Sequence, residues 1–218
     1  MPTPPTPQAT AATRRPRGRP ARSGLTAQQV REQLVRAGVA LLTERGISAT
    51  PLEDVVAATG LPKGSFYHHF GTKEAWVSES IGAYGQYFER KLQRHFDDPT
   101  LPALQRLQSF VDDACAGMAR YGFTRGCLVG NLGQEVNQLP EAQRQQLEAI
   151  FARWEDLLAQ CLGEAVRAGD LNPAAELHTL AHAFWIGWEG AILRARLCRS
   201  TEPMTCFVTH YVAGLPRA

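Results

Sequence analysis

Between Gly46 and Lys73 the chain is punctuated too often to hold a long element. Thr50-Pro51, Thr59-Gly60-Leu61-Pro62 and Gly71-Thr72 cut it into two short runs, Leu52–Ala58 and Lys63–Phe70. Helices of this length are marginal alone in water, so each must be held by longer neighbours. Such neighbours flank them. Upstream, Val30, Leu34, Ala37, Gly38 and Leu41 fall on one helical face, with Gly46 placed to end that helix. Thr50 with Pro51 reads as N-cap plus first helical position of the next one. Downstream, Thr72 caps a long helix whose stripe is Val77, Ile81, Tyr84, Phe88 and Leu92. Two short helices joined by a glycine-containing turn, between two longer ones, form the helix-turn-helix pattern.

Past Asp97-Asp98-Pro99 the helical period continues over roughly 101–120, 140–168, 173–198 and 203–214, and no β pattern competes. The fold class is therefore all-α. Three regions are expected: a disordered basic arm over 1–24, a DNA-binding domain over 25–88 with its motif at about 51–70, and a further helical domain over 89–218. The arm holds five arginines and no acid, and its Pro/Gly spine keeps Arg17 and Arg19 narrow and extended enough for a minor groove or a run of phosphates. The alternative is a solvated tail. Beside a DNA-binding motif the arm reading is favoured. Residues 96–218 carry ten basic against fourteen acidic residues, so positive charge is concentrated where a polyanion would be met.

A 218-residue chain with 44% hydrophobic residues can fill a sizeable core, which excludes disorder over the whole length. No apolar run reaches the roughly 18–20 residues of a membrane span, and the first residues lack a signal peptide's apolar centre. A cytoplasmic protein without a membrane partner is expected. Five widely spaced cysteines form neither a disulfide framework nor a zinc pattern. No metal site and no cofactor are expected.

Gly46 through Lys73, which contains PKGSFYHHF, resembles the DNA-binding segment of TetR-type bacterial repressors, and with the helix that ends at Gly46 and the one that Lys73 opens the likeness holds in order and helix length over about 60 residues. The resemblance implies DNA contacts at Thr50, Lys63, Gly64, Ser65, Tyr67, His68, His69 and Lys73. Their chemistry suits that task. Lys63 and Lys73 bring charge to phosphates, Gly64 admits close backbone approach, Ser65 and Tyr67 can donate to phosphate or base edges, and His68 and His69 can donate to phosphate oxygens. Phe66 and Phe70 are core anchors. Adjacent His68 and His69 diverge by about 100° on a helix, which argues against metal binding. One reading helix offers few base contacts, so a homodimer on a palindromic operator is expected. Its surface is assigned to the last two long helices, where Gly187 and Gly190 would allow close approach.

Gly122–Glu135 and Ala183–Ala191 resemble a narrower branch of that family, which responds to acrylate or to electrophiles. The implied inducer is a small unsaturated or electrophilic compound. In 89–218, which the resemblance makes the ligand-binding and dimerisation domain, candidate pocket residues are Cys127, Asn131, Glu135, Trp154, Trp185, Trp188 and Glu189, the tryptophans more readily explained as core and Asn131 and Glu135 equally as helix caps. Cys127 follows Arg125-Gly126 near a helix start, where a guanidinium and the helix dipole would lower its pKa and favour thiolate. It reads either as a covalent sensor or as an inert buried thiol. Arg120, Arg125, Arg194 and Arg196 are candidate partners for an inducer carboxylate. Two other classes fit the sequence less well. A thiol-dependent enzyme through Cys127 lacks a nearby histidine and leaves the DNA-binding pattern unexplained. A nucleoid-type coater suits the arm but not the acidic, tryptophan-bearing second half. The reading is a repressor, not an enzyme.

Overall fold

The computed structural model describes residues 24–218, and the basic arm with Arg17 and Arg19 lies outside them. The described chain is helical: α1 Ala27–Arg45, α2 Leu52–Thr59, α3 Lys63–Phe70, α4 Lys73–Phe96, α5 Ala103–Arg120, α6 Leu128–Gln134, α7 Glu141–Arg167, α8 Leu177–Cys198 and α9 Glu202–Ala213. A 3₁₀ turn, Val136–Gln138, follows α6, and an isolated bridge pairs Leu171 with Arg217 near the C-terminus.

The punctuation acts as its chemistry requires. Thr26 and Gln29 form a reciprocal capping box at α1, and Thr72 Oγ1 accepts from Ala75 N at 3.1 Å to start α4. Gly60 and Gly71 end α2 and α3 at positive φ. One expectation is corrected. Pro51, not Thr50, is the N-cap of α2, and Thr50 is fully buried with its hydroxyl donating to Gly46 O at 2.6 Å. An N-cap needs its side-chain oxygen aimed at the helix's first amides, and here that group is committed to the preceding turn.

α1 to α4 pack around Phe66, Trp76, Leu34 and Val55, all essentially inaccessible. Phe66 lies 5.7 Å from Trp76, whose indole donates to Leu34 O at 3.0 Å. Gly38 lets α1 and α4 close up, since a Cβ there would stand 2.2 Å from Ser80 Oγ. α4 then continues without a break into the second half. The boundary expected after residue 88 falls inside it, and its distal end packs on α5 and α7. There Phe88, Phe110, Trp154 and Trp185 join in one aromatic cluster, with Phe88–Trp154 at 4.4 Å and Trp154–Trp185 at 5.1 Å. α4 is thus a rod of roughly 36 Å shared by both cores.

Candidate functional site

α3 presents its polar side outward because Phe66 and Phe70, four apart, hold the opposite side in the core. Lys63, Gly64, Tyr67 and His68 are exposed, Ser65 and His69 half-buried. Tyr67 keeps 49% of its surface, since it points about 100° away from the buried Phe66. Space around Gly64 is open, with nothing within 4 Å of a Cβ built there. Lys63 pairs with Glu53 at 2.9 Å in solvent, which holds the ammonium proton and lowers the carboxyl's pKa. Lys73 is half-buried and donates to Ile47 O at 3.1 Å, stitching the start of α4 to the α1–α2 turn. His69 is held below the usual histidine range, first by burial and then by the charges of His68 and Arg31. Thr50, buried, is not part of this surface.

A cleft of about 1070 Å³ runs between α1, α4, α5 and the start of α6. Cys127, Trp188, Tyr84, Lys91, Tyr121 and Arg125 are on its wall. Of the residues singled out from sequence, Cys127 and Trp188 therefore meet there. Trp154 and Trp185 do not line it; they sit in the aromatic core behind, their indole N–H groups without partners among the described residues. Trp185, one turn before Trp188 on α8, is packed against Trp154 at 5.1 Å and Phe88 at 6.2 Å instead. Glu189 lies behind Cys127, with Oε1 buried and without a partner among the described residues.

The expected pKa of Cys127 is reversed. The thiol is 4% exposed, and burial, followed by the Glu189 charge, pushes it well above the usual cysteine range. The helix-start effect exists, since Gly130 N donates to Cys127 Sγ at 3.5 Å, but one amide does not offset desolvation. Arg125 is turned elsewhere, 4.3 Å over the Tyr121 ring and 3.8 Å from Glu44. Burial also drives Glu189 up to about 7.

Asn131 and Glu135 leave the cleft for the joint with α1. The Asn131 amide donates to Thr43 O and accepts from Arg196 Nη1 at 2.8 Å, while Arg196 Nη2 donates to Glu44 O at 3.0 Å. These are carbonyls at the α1 C-terminus, where cations and donors are needed. Glu135 accepts from Ile47 N at 2.9 Å and Ser48 N at 2.8 Å, in the turn leading to α2. Gly46 makes room: its φ is +77°, and a Cβ would stand 1.7 Å from Glu135 Oε1. α6 is thus a seven-residue strut with Cys127 at the cleft end and Glu135 on the reading head. Sequence reasoning missed Tyr84 and Lys91. A tyrosine on an otherwise apolar stripe was the available signal, because its hydroxyl needs a polar destination.

A short helix presented between Gly- and Pro-bounded turns, joined by one long helix to a helical half with a cleft, defines a ligand-responsive helix-turn-helix regulator. Residues 34–79 match the profile described as bacterial regulatory proteins, tetR family, and 103–211 match the tetracyclin repressor-like C-terminal domain. The chain belongs to the TetR family of DNA-binding transcriptional regulators. It is 45% identical to the transcriptional regulator AcuR of Cereibacter sphaeroides over 88% of this chain and 87% of that one. It is 26% identical to the HTH-type transcriptional repressor NemR of Escherichia coli K12, over 85% of this chain and 93% of that one. The crystal structure of a regulatory protein TetR from Rhodobacter sphaeroides superposes with a TM-score of 0.83 at 43% identity, covering 85% of this chain and 98% of that one. Among the described residues no helix is long and apolar enough to cross a membrane, and no group of three His, Cys, Asp or Glu could hold a metal.

Proposed function

We propose that the protein is a homodimeric repressor of a palindromic operator, released when a small unsaturated or electrophilic compound such as acrylate occupies the α1–α4–α5 cleft. In this reading residues 25–88 are the DNA-reading head and 89–218 the effector and dimerisation half. Lys63, Gly64, Ser65, Tyr67, His68, His69 and Lys73 meet the DNA, the basic side chains on phosphates and the others at the groove.

The observation that carries the release mechanism is the α6 strut. Its first residue cap is on the cleft wall, and its last turn holds the amides of Ile47 and Ser48. A molecule that displaces Cys127 moves the anchor of the turn entering α2. Occupancy shifts the population only if the inducer prefers the DNA-incompetent arrangement; a full reversal needs about 5.5 kcal/mol of preference.

Dimerisation is supported by α8. Ile186 and Leu197 are 64% and 73% exposed, and Leu193 lies between them on the same face with Gly190. Residues at i, i+4, i+7 and i+11 form one apolar stripe, the kind of surface a partner helix covers. Gly187 serves a different purpose, since Phe207 of α9 fills the space beside it.

The test is fluorescence anisotropy on DNA from upstream of the gene, with and without acrylate, for wild type and Cys127→Ser. Release of both supports a reversible ligand. Release of wild type alone, with an adduct in the mass spectrum, supports the second reading, covalent sensing through Cys127, which the buried Glu189 beside it favours. Specific binding that no unsaturated compound weakens would remove the inducer assignment and leave the regulator.

A further inference from the structure

Cys127 is an unusual nucleophile. It lines the cleft, so a small molecule reaches it, yet its thiol is protonated because burial disfavours thiolate. A neutral thiol adds slowly to carbon electrophiles, so reaction there needs a group that removes the proton as the bond forms. One is present. Glu189, from α8, adjoins the thiol, and its Oε1 is buried without a partner among the described residues. A buried carboxylate oxygen that leaves its hydrogen-bonding capacity unused costs stability, which points to a role outside packing. Gly130 keeps the space for it, since a Cβ there would stand 1.9 Å from Glu189 Oε2. Tyr84, from α4, places its hydroxyl against the same sulfur and so offers a donor at the reacting centre.

We propose that Cys127 and Glu189 form a thiol-addition site for small uncharged α,β-unsaturated carbonyl compounds, with Glu189 as proton acceptor. Cys127 Sγ bonds the β-carbon as its proton passes to a Glu189 oxygen. The π pair moves toward the carbonyl oxygen, where the Tyr84 hydroxyl donates, and the proton on Glu189 then goes to the α-carbon. One S–C and one C–H bond form, one S–H and one C=C π bond are lost, and nothing is oxidised or reduced. Glu189 titrates near neutrality, where a general base both holds and yields a proton effectively. The preference for uncharged acceptors follows from charge. A carboxylate on the acceptor would be buried beside Glu189, while of the cleft cations Lys91, Arg125 and Arg31 already face Asp113, Glu44 and Glu79, and Arg36 stands exposed to water. This inference rests on the cleft being the effector site and specifies the effector's chemistry.

The experiment follows adduct formation on the intact dimer with acrylamide and with acrylate, by whole-protein mass spectrometry and peptide mapping. Wild type, Cys127→Ser, Glu189→Gln and Glu189→Asp are compared, with circular dichroism melts to confirm folding and operator anisotropy on the same samples. The expected result is an adduct at Cys127 that forms ahead of any at the exposed Cys198 and Cys206, absent in Cys127→Ser, slowed roughly a hundredfold in Glu189→Gln and partly restored in Glu189→Asp. With each rate divided by that compound's rate with free glutathione, acrylate should react at least about tenfold more slowly than acrylamide, and equal normalised rates overturn the preference for uncharged acceptors. Equal rates in wild type and a folded Glu189→Gln, or labelling confined to the exposed Cys198 and Cys206, overturn the proposal. An adduct at Cys127 without operator release sustains the addition site and removes the inducer reading. Release by acrylamide without any adduct does the reverse.

Discussion

Arg196 Nη1 donates to Asn131 Oδ1 at 2.8 Å, and through this pair α8 of the C-terminal half reaches the end of α1 in the helix-turn-helix domain. Both side chains are spent on carbonyls of the last turn of α1, Thr43 for Asn131 and Glu44 for Arg196. With Glu135 on the next two amides, they make the head's entry turn depend on where α6 sits.

Asn131→Ala should therefore lower stability and weaken coupling together. It removes a donor to Thr43 O and the acceptor for Arg196, at a cost of about 1–3 kcal/mol, or several degrees in melting temperature. Operator affinity without inducer should stay near wild type while the inducer dose–response shifts to higher concentration. Calorimetry with an anisotropy titration checks both, and an unchanged dose–response would show that the strut does not transmit.

Two glycines should answer alanine differently. Gly46→Ala meets both a positive φ and the Glu135 carboxylate, so destabilisation of about 1–3 kcal/mol is expected in urea titration. Gly64→Ala meets nothing within 4 Å, so the protein should fold as well as wild type and bind its operator several-fold more weakly. Equal operator affinity for a folded Gly64→Ala would remove that residue from the DNA surface.

Salt dependence separates the two lysines. Lys63 sits in an exposed pair with Glu53 that a phosphate can replace, so Lys63→Ala should leave thermal stability alone and reduce the slope of log K against log salt by about 2 per dimer. Lys73→Ala should also lower the melting temperature, because its ammonium holds Ile47 O. Identical slopes for wild type and Lys63→Ala would exclude a phosphate contact there.

The buried carboxyl of Glu189 predicts a pH dependence of folding. Its folded-state pKa of about 7 lies above the ordinary 4.5, so the folded chain holds that proton more tightly than the unfolded one. Stability from this group is whole below pH 4.5, falls as pH rises toward 7, and is lost above it, up to about 3 kcal/mol. Cys127 and Tyr84, the titratable groups facing it from the α6 cap and α4, are both pushed up and stay neutral across this window. Denaturant titrations at pH 5 and pH 8 should show the loss in wild type and not in Glu189→Gln. Parallel behaviour of the two proteins would mean that Glu189 ionises as an ordinary surface acid.

The reading head was legible because its signals are local. Gly46, Gly60 and Gly71 end helices by their backbone conformation, Thr72 caps α4 through the amide three residues on, and Phe66 with Phe70 sets which side of α3 is left outside. Thr50 was misread for the same reason, since Thr-Pro resembles a helix start when the nearby Gly46 carbonyl is out of view. α6, with seven residues and two glycines, carries too little periodicity to announce itself.

What the sequence by itself determined is the all-α class, the helix-turn-helix and the polar set on α3, all written in spacings of three to eight residues. Only the tertiary structure decided the effector side. Glu135 meets amides 88 and 87 positions away, Arg196 meets Glu44 across 152, and Cys127 acquires Glu189 from α8. Local rules made Cys127 a thiolate beside an arginine. Folding buried it, turned the arginine toward Tyr121, and set a carboxylate in its place, because desolvation depends on everything packed around a group and not on its neighbours in the chain.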